Sequence, residues 1–262
     1  MTTRLPVMFV GHGSPMVTLD DSEFTRGWRS MVTGLKPKAV LCVSAHWCTN
    51  GVGVTAMPSP RTIHDFYGFP EALFQIQYNA PGDPMLAQRV QSLLAPTDVV
   101  LDEQWGLDHG CWAVLRHMFP QADIPVLQLS IDMRRDAQWH YDLGNALKPL
   151  RDEGVLIIGS GDVVHNLGQV DFRNEERVFP WADQFNQHAR QCIESRNHQA
   201  LINCQQGDES IVQAARLSIP TPDHYYPLLY VLGASDASDS IDISLDKIVM
   251  GSISMMSMKL GG

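Results

Sequence analysis

The sequence predicts an α/β fold: a single domain over residues 1–262 with a central mixed, largely parallel sheet flanked by helices. Three observations predict it. Short runs rich in Val, Ile and Leu recur along the chain, at PVMFVG (6–11), AVLCVSA (39–45), IPVLQLSI (124–131) and VLIIGSG (155–161). They lack clean polar alternation, as strands covered on both faces do. Segments with helical spacing lie between and after them. No repeat, low-complexity tract or Gly/Ser/Pro-rich linker divides the 262 residues, a length that one large α/β domain accommodates.

The first strand, 6–11, is cut off by Gly-His-Gly, where Gly11 and Gly13 let the backbone turn and leave His12 sterically open. The second, 39–45, runs into His46 within SAHW. The aromatic-rich stretch 61–83 has an irregular pattern and reads as a pocket cover; it holds His64, Phe66, Tyr67 and Phe69, with Asp65 placed to orient His64. A helix is predicted over 83–95, with Leu86, Val90 and Leu93/Leu94 on one side. WGLDHGCW (105–112) presents His109 beside a glycine, either as a substrate-binding or proton-transfer group or as a residue starting a helix. The strand 124–131 follows, then the strand 155–161, which leads through SGDVVHNL to His165. A helix over 181–195 aligns Trp181, Phe185, Ala189 and Cys192. A further helix over 224–233 ends at Gly233, with Thr221 as N-cap, Pro222 as first helical residue and Pro227 confined to the first turn. A last strand is expected near 241–251.

Composition narrows the function classes. Apolar residues make up 44% and charged residues 18%, as in a packed globular protein. A formal net charge of −10 argues against a sequence-independent grip on nucleic acid and fits a small-molecule partner. No apolar stretch approaches the roughly 20 residues that span a bilayer, and the N-terminal apolar run is too short for a signal peptide. Cys42, Cys48, Cys111, Cys192 and Cys204 form no close CxxC pair and read as reduced thiols of a cytoplasmic protein, Cys42 in a packing role. A monomer or homodimer is expected.

Ligands of open α/β sheets bind in the crevice beyond the carboxyl ends of strands. Three separate strands therefore deliver His12, His46 and His165 to one edge. His224 adds a fourth imidazole at a helix N-terminus, whose dipole disfavours imidazolium. Neutral imidazole is the form that binds a metal. These four are far apart in the chain and form no local ligand motif, so the agreement of strand ends is what suggests a shared ion. His117, His140, His188 and His198 fall on helical or polar stretches and read as surface or boundary residues. GHGSP is not a GxGxxG fingerprint, no GxxxxGK[ST] occurs, and Ser14 is not in a GxSxG elbow. Asp162 and Asp65 are the best-placed carboxylates, and they form no evident acid–base couple.

At these residues the sequence resembles a known family. VGHGSP, VSAHW, TIHDFYGFP, LDHGCW, SGDVVHNL and TPDHYYPLLYVLGA stand in the order of the signature blocks of the LigB-like (class III) extradiol ring-opening dioxygenases, and most of all of their DOPA-cleaving branch. The resemblance implies one mononuclear divalent ion, Zn(II) or Fe(II), at the strand ends, with Fe(II) expected for oxygen chemistry. Its metal positions match His12, His46 and His224. His165 matches the catalytic acid/base histidine and is near enough to be a fourth ligand. His109 and His64 match positions lining the catechol site, where Phe66, Tyr67 and Phe69 would wall the ring. A small aromatic diol and O2 are the implied partners, and a muconic semialdehyde the implied product. Many extradiol enzymes use two histidines and a carboxylate; with His224 in third place this ligand set is all-histidine and leaves the full +2 charge on the ion. Zinc suits such a site, but it cannot pass electrons to oxygen. Other classes remain at this stage. Tetrapyrrole chelatases also open on a strand followed by GHGS, but they do not fit SAHW and TIHDFYGFP. A zinc hydrolase would work through metal-bound water. A non-catalytic zinc-binding protein would turn over no catechol.

Overall fold

The computed structural model describes residues 4–262. β1 (Val7–Gly11) is followed by α1 (Glu23–Met31), β2 (Ala39–Thr49), β3 (Val52–Thr55), α2 (Glu71–Phe74), α3 (Pro84–Leu93), β4 (Val99–Asp102), α4 (His109–Met118), β5 (Val126–Asp132), α5 (Ala137–Leu147) and β6 (Val155–Gly161). The rest of the chain supplies α6 (Pro180–Glu194), α7 (His198–Ile202), α8 (Glu209–Ser218), α9 (Tyr226–Ala234), β7 (Ile241–Leu245), β8 (Ile248–Val249), β9 (Ile253–Ser254) and β10 (Ser257–Leu260). Eight strands form one sheet in the order β4-β3-β5-β2-β6-β1-β10-β7. The pairs β1–β6, β2–β6, β2–β5 and β3–β4 are parallel, and β3–β5, β1–β10 and β10–β7 antiparallel. The fold is the expected single α/β domain with a mixed, mostly parallel sheet.

Successive strand residues point to opposite faces, and here both faces are apolar. Val7 and Phe9 of β1, Leu41 and Val43 of β2, and Ile157 of β6 pack under α3, α5 and α6 to α9. Met8 and Val10, Val40 and Cys42, and Leu156 and Ile158 pack on the other side with Trp28 of α1 and Trp112 of α4. The result is three layers, helices on a sheet on helices. All five cysteines are free, and Cys42 is buried in the second of these clusters.

Several sequence expectations are corrected. β2 does not stop at 45; it continues through His46 to Thr49, and its pairing with β5 shifts register between Val43 and Cys48. That irregularity re-aims the side chains at the strand end. The helix expected from 224 begins at Tyr226, because Pro222 to Tyr225 form a hydrogen-bonded turn; Thr221 is not its N-cap. The strand expected near 241–251 is β7 followed by the short β8. β3, β4 and β10 were not anticipated. His140 is buried, not superficial: its Nδ1 lies 3.0 Å from the Tyr230 hydroxyl and its ring packs on Tyr226.

Candidate metal centre and substrate cavity

Three chain segments are stitched together at the carboxyl ends of β1 and β6. The His12 amide donates to the Gly161 carbonyl at 3.3 Å, and the Asp162 amide donates to the His224 carbonyl at 2.9 Å. The Gly13 amide donates to Asp162 Oδ1 at 3.1 Å. A β-carbon on Gly161 would fall well inside contact distance of the His224 carbonyl oxygen, so glycine is what lets the two segments approach.

This stitching brings His12, His46 and His224 into one triangle, with ring centroids 5.0, 5.2 and 4.9 Å apart. Second partners set the tautomers. The Ser160 hydroxyl spends its one proton on the Gly110 carbonyl at 2.5 Å, so its 3.0 Å contact with His12 requires His12 Nδ1–H to donate. His224 Nδ1 lies 2.5 Å from Asp223 Oδ2. Burial works against ionisation of Asp223, but the hydrogen bond from His224 holds its carboxyl below the usual range, so Nδ1 carries the proton. His46 Nδ1 faces Asp65 Oδ2 at 3.4 Å. His12 and His224 therefore each present a bare Nε2, and the Nε2 atoms of His12 and His46 lie 3.0 Å apart. A proton carried on His46 Nε2 makes that contact a hydrogen bond to His12; a cation in its place would be bound by both nitrogens. The spacing suits two ligands each about 2.0–2.1 Å from one ion. Burial, reinforced by the neighbouring imidazoles, pushes His12 and His46 well below the ordinary histidine value and keeps them neutral, the form that can bind a metal.

His165 stacks on His224, with centroids 3.5 Å apart and planes 6° from parallel. A ligated ion lies near the plane of its imidazole, and these two ring planes run nearly parallel to each other; one nitrogen of each ring and an Asp223 oxygen lie within 4.8 Å of one another. Burial lowers His165 to about 3, so it too is neutral. His109 starts α4, where Asp108 caps the helix by accepting from the Cys111 amide. Asp65 grips His109 twice, accepting from its backbone amide and from Nδ1, each at 2.8 Å. The carboxylate expected to orient His64 thus serves His109 and stands beside His46. His64 Nε2 instead meets the Ile76 carbonyl at 3.0 Å, and its ring packs against Phe66, Phe74 and Trp112.

His46, His109, His165 and His224 open onto a cavity of about 260 Å³ walled by Phe66, Phe69, Leu167, Val170, Phe172, Met250 and Ile253. Tyr67 does not reach it; its side chain is 93% exposed, and the wall expected of it comes from Phe66 and Phe69. His64 lies behind Phe66, outside the lining. Sequence reading missed Ser160, Asp223, Leu167, Val170 and Phe172. Asp223 was signalled by its adjacency to His224; nothing local marked Ser160, whose role comes from strand pairing.

Two further buried carboxyls sit beside the cluster. Asp108 accepts from the Ser44 hydroxyl at 2.6 Å and from Gln128. Burial pushes it up to about 6. Asp162, 1% exposed, is pushed by burial up to about 7. Among the described residues no helix is long and apolar enough to cross a membrane.

The profile described as "Catalytic LigB subunit of aromatic ring-opening dioxygenase" matches residues 6–256. The chain is 48% identical to 4,5-DOPA dioxygenase extradiol of Escherichia coli (strain K12), over 99% of this chain and 96% of that protein. It is 40% identical to 4,5-DOPA dioxygenase extradiol of Beta vulgaris, over 90% of this chain and 88% of that one. A crystal structure of an uncharacterised Escherichia coli K12 protein superposes with a TM-score of 0.85 at 45% identity, covering 98% of this chain and all of that one (100%). A profile match over nearly the whole length, relatives of this similarity and a shared fold place the chain in the LigB family of aromatic ring-opening dioxygenases.

Proposed function

We propose that the chain opens a catechol-type, DOPA-like diol with O2 by extradiol cleavage to a muconic semialdehyde, using one divalent ion held by His12, His46 and His224. The observation that carries this reading is the cluster of His12, His46 and His224, in which His12 and His224 hold their protons on Nδ1 and keep Nε2 bare, beside an apolar cavity that His46 and His224 line. Fe(II) is the proposed ion: when bound it acidifies the diol oxygens and supplies the redox route to O2, which zinc lacks.

The chain's own residues do the rest. His165, neutral and outside the shared ligand plane, takes a proton from the diol and returns it as the ring opens; we assign it acid/base work and not a fourth bond to the ion. His109, fixed by Asp65, holds a substrate oxygen by hydrogen bonding. Phe66 and Phe69 wall the ring, with His64 supporting Phe66 from behind. The cavity suits a single aromatic ring. Its lining contains no Lys, Arg, Asp or Glu, so the substituent of the diol runs along Leu167, Val170 and Phe172 and finds no ionic partner there. The family's soluble chemistry and the free thiols fit a cytoplasmic setting.

The test is anaerobic loading of chelator-stripped protein with Fe(II), followed by air and a panel running from L-DOPA to 4-propylcatechol. Yellow semialdehyde and O2 uptake should rise together with whichever diols of the panel the cavity accepts. Turnover surviving in both His12→Ala and His224→Ala would refute the site. Activity kept with zinc and without oxygen would favour a hydrolase.

A further inference from the structure

We propose that Asp162 is a fourth, anionic ligand of the same ion, so that the centre holds three histidines and one carboxylate and is not all-histidine. The inference rests on the reading of the histidine cluster as a metal site and goes beyond it.

One buried oxygen beside the cluster has no partner. The Asp162 carboxyl is buried, and one of its oxygens, Oδ1, accepts from the Gly13 amide at 3.1 Å. The other, Oδ2, is buried with no hydrogen-bond partner. A carboxyl oxygen sealed from water without any partner is costly, and folded proteins seldom keep one without a reason. The polar atom it faces is His12 Nε2, at 3.9 Å. That nitrogen cannot help, because the proton of His12 is held on Nδ1 by Ser160. The buried Asp162 oxygen and the bare Nε2 of His12 thus face each other 3.9 Å apart, each without a partner in the other. A cation between them would be bound by both.

The distances allow it. One ligand atom each from Asp162, His12 and His224 lie within 4.8 Å of one another. Two ligands each about 2.0–2.2 Å from one ion can stand at most about 4.4 Å apart, which 3.9 Å satisfies. The position is also the right one for a ligand that leaves the chemistry free. Neither Asp162 nor His12 lines the cavity, so both approach from the buried side while the cavity side stays open to the diol and O2. The carboxylate halves the charge that three neutral imidazoles would leave on a divalent ion.

The experiment compares chelator-stripped wild-type protein with Asp162→Asn. Asparagine keeps the acceptor for the Gly13 amide and removes the charge, and its side-chain N–H can donate to His12 Nε2. Affinity for Zn(II) and Co(II) is read by competition with a chromophoric chelator, the coordination by the visible absorption of the Co(II) form, and folding by the Tm of the metal-free protein. The expected result is a 10–100-fold weaker affinity for both ions, an altered Co(II) spectrum, and a metal-free Tm equal to or above that of wild type. Affinity within twofold of wild type with an unchanged spectrum overturns the proposal. So does a weakened affinity accompanied by a lowered metal-free Tm, which would mark a structural role. Wild-type protein that binds neither ion would overturn the histidine site itself; wild-type binding that Asp162→Asn leaves intact overturns the carboxylate alone.

Discussion

A single proton decides what His12 is. Ser160 gives its hydrogen to Gly110 and so forces His12 to give up the one on Nδ1, which leaves Nε2 to face the site. His165 differs in kind, since its ring lies flat on His224 and shares no plane with it. The distinction is measurable. His165→Ala should lower kcat by 10²–10⁴-fold while the bound ion stays at one per chain by elemental analysis; loss of the ion along with the activity would return His165 to the ligand set. Strand-end position made His12, His46 and His165 visible in the sequence, and an expected helix N-terminus made His224 visible. Neither could show who holds them. Asp65 is next to His64 in the chain, and adjacency suggested that pair; the fold gives Asp65 to His109, 44 residues away.

Among the elements, legibility followed burial. β1, β2, β5 and β6 stand in the middle of the sheet, covered on both sides, and their unbroken Val/Ile/Leu runs announced them. β3 and β4 have four residues each and lie at one end of the sheet, where so short a run carries no periodicity. β10, SMKL, contains a serine and a lysine and reads as nothing in particular until it is placed between β1 and β7. At this scale the junction of β6 with the turn before α9 is the sensitive point. Gly161→Ala drives a methyl group against the His224 carbonyl. Overpacking of this kind costs about 1–3 kcal/mol. The expected outcome is a lower Tm together with weaker metal binding, because His224 is pushed off its mark; calorimetry and metal titration check both.

For the whole molecule, the buried titratable groups set the response to acid. Burial holds His12, His46, His165 and His140 below the ordinary histidine value, His165 at about 3 and His140 at about 4. An unfolded chain takes protons at these positions below about pH 6.5, and the folded one does not, so acidification favours unfolding. Asp162 and Asp108, raised by burial to about 7 and about 6, act in the opposite sense: folded protein keeps protons there that an unfolded chain releases above about pH 4. His117 and His198, also held down by burial, add to the first side, so the lowered histidines outnumber the two raised carboxyls and unfolding takes up protons. Stability of the chelator-stripped protein should therefore fall as the pH drops below about 6.5. A Tm that stays level from pH 6.5 to 5.5 would contradict this balance.

The sheet order has a consequence for how the protein is made. β1 leaves the ribosome long before β10, yet it is flanked by β6 and β10, the latter formed by residues 257–260. An apolar strand with both edges bare must wait for neighbours made far later in the chain, and bare edges recruit other chains. Because His12 hangs from the end of that strand, an ion bound at the proposed centre would be captured only after the sheet has closed around it.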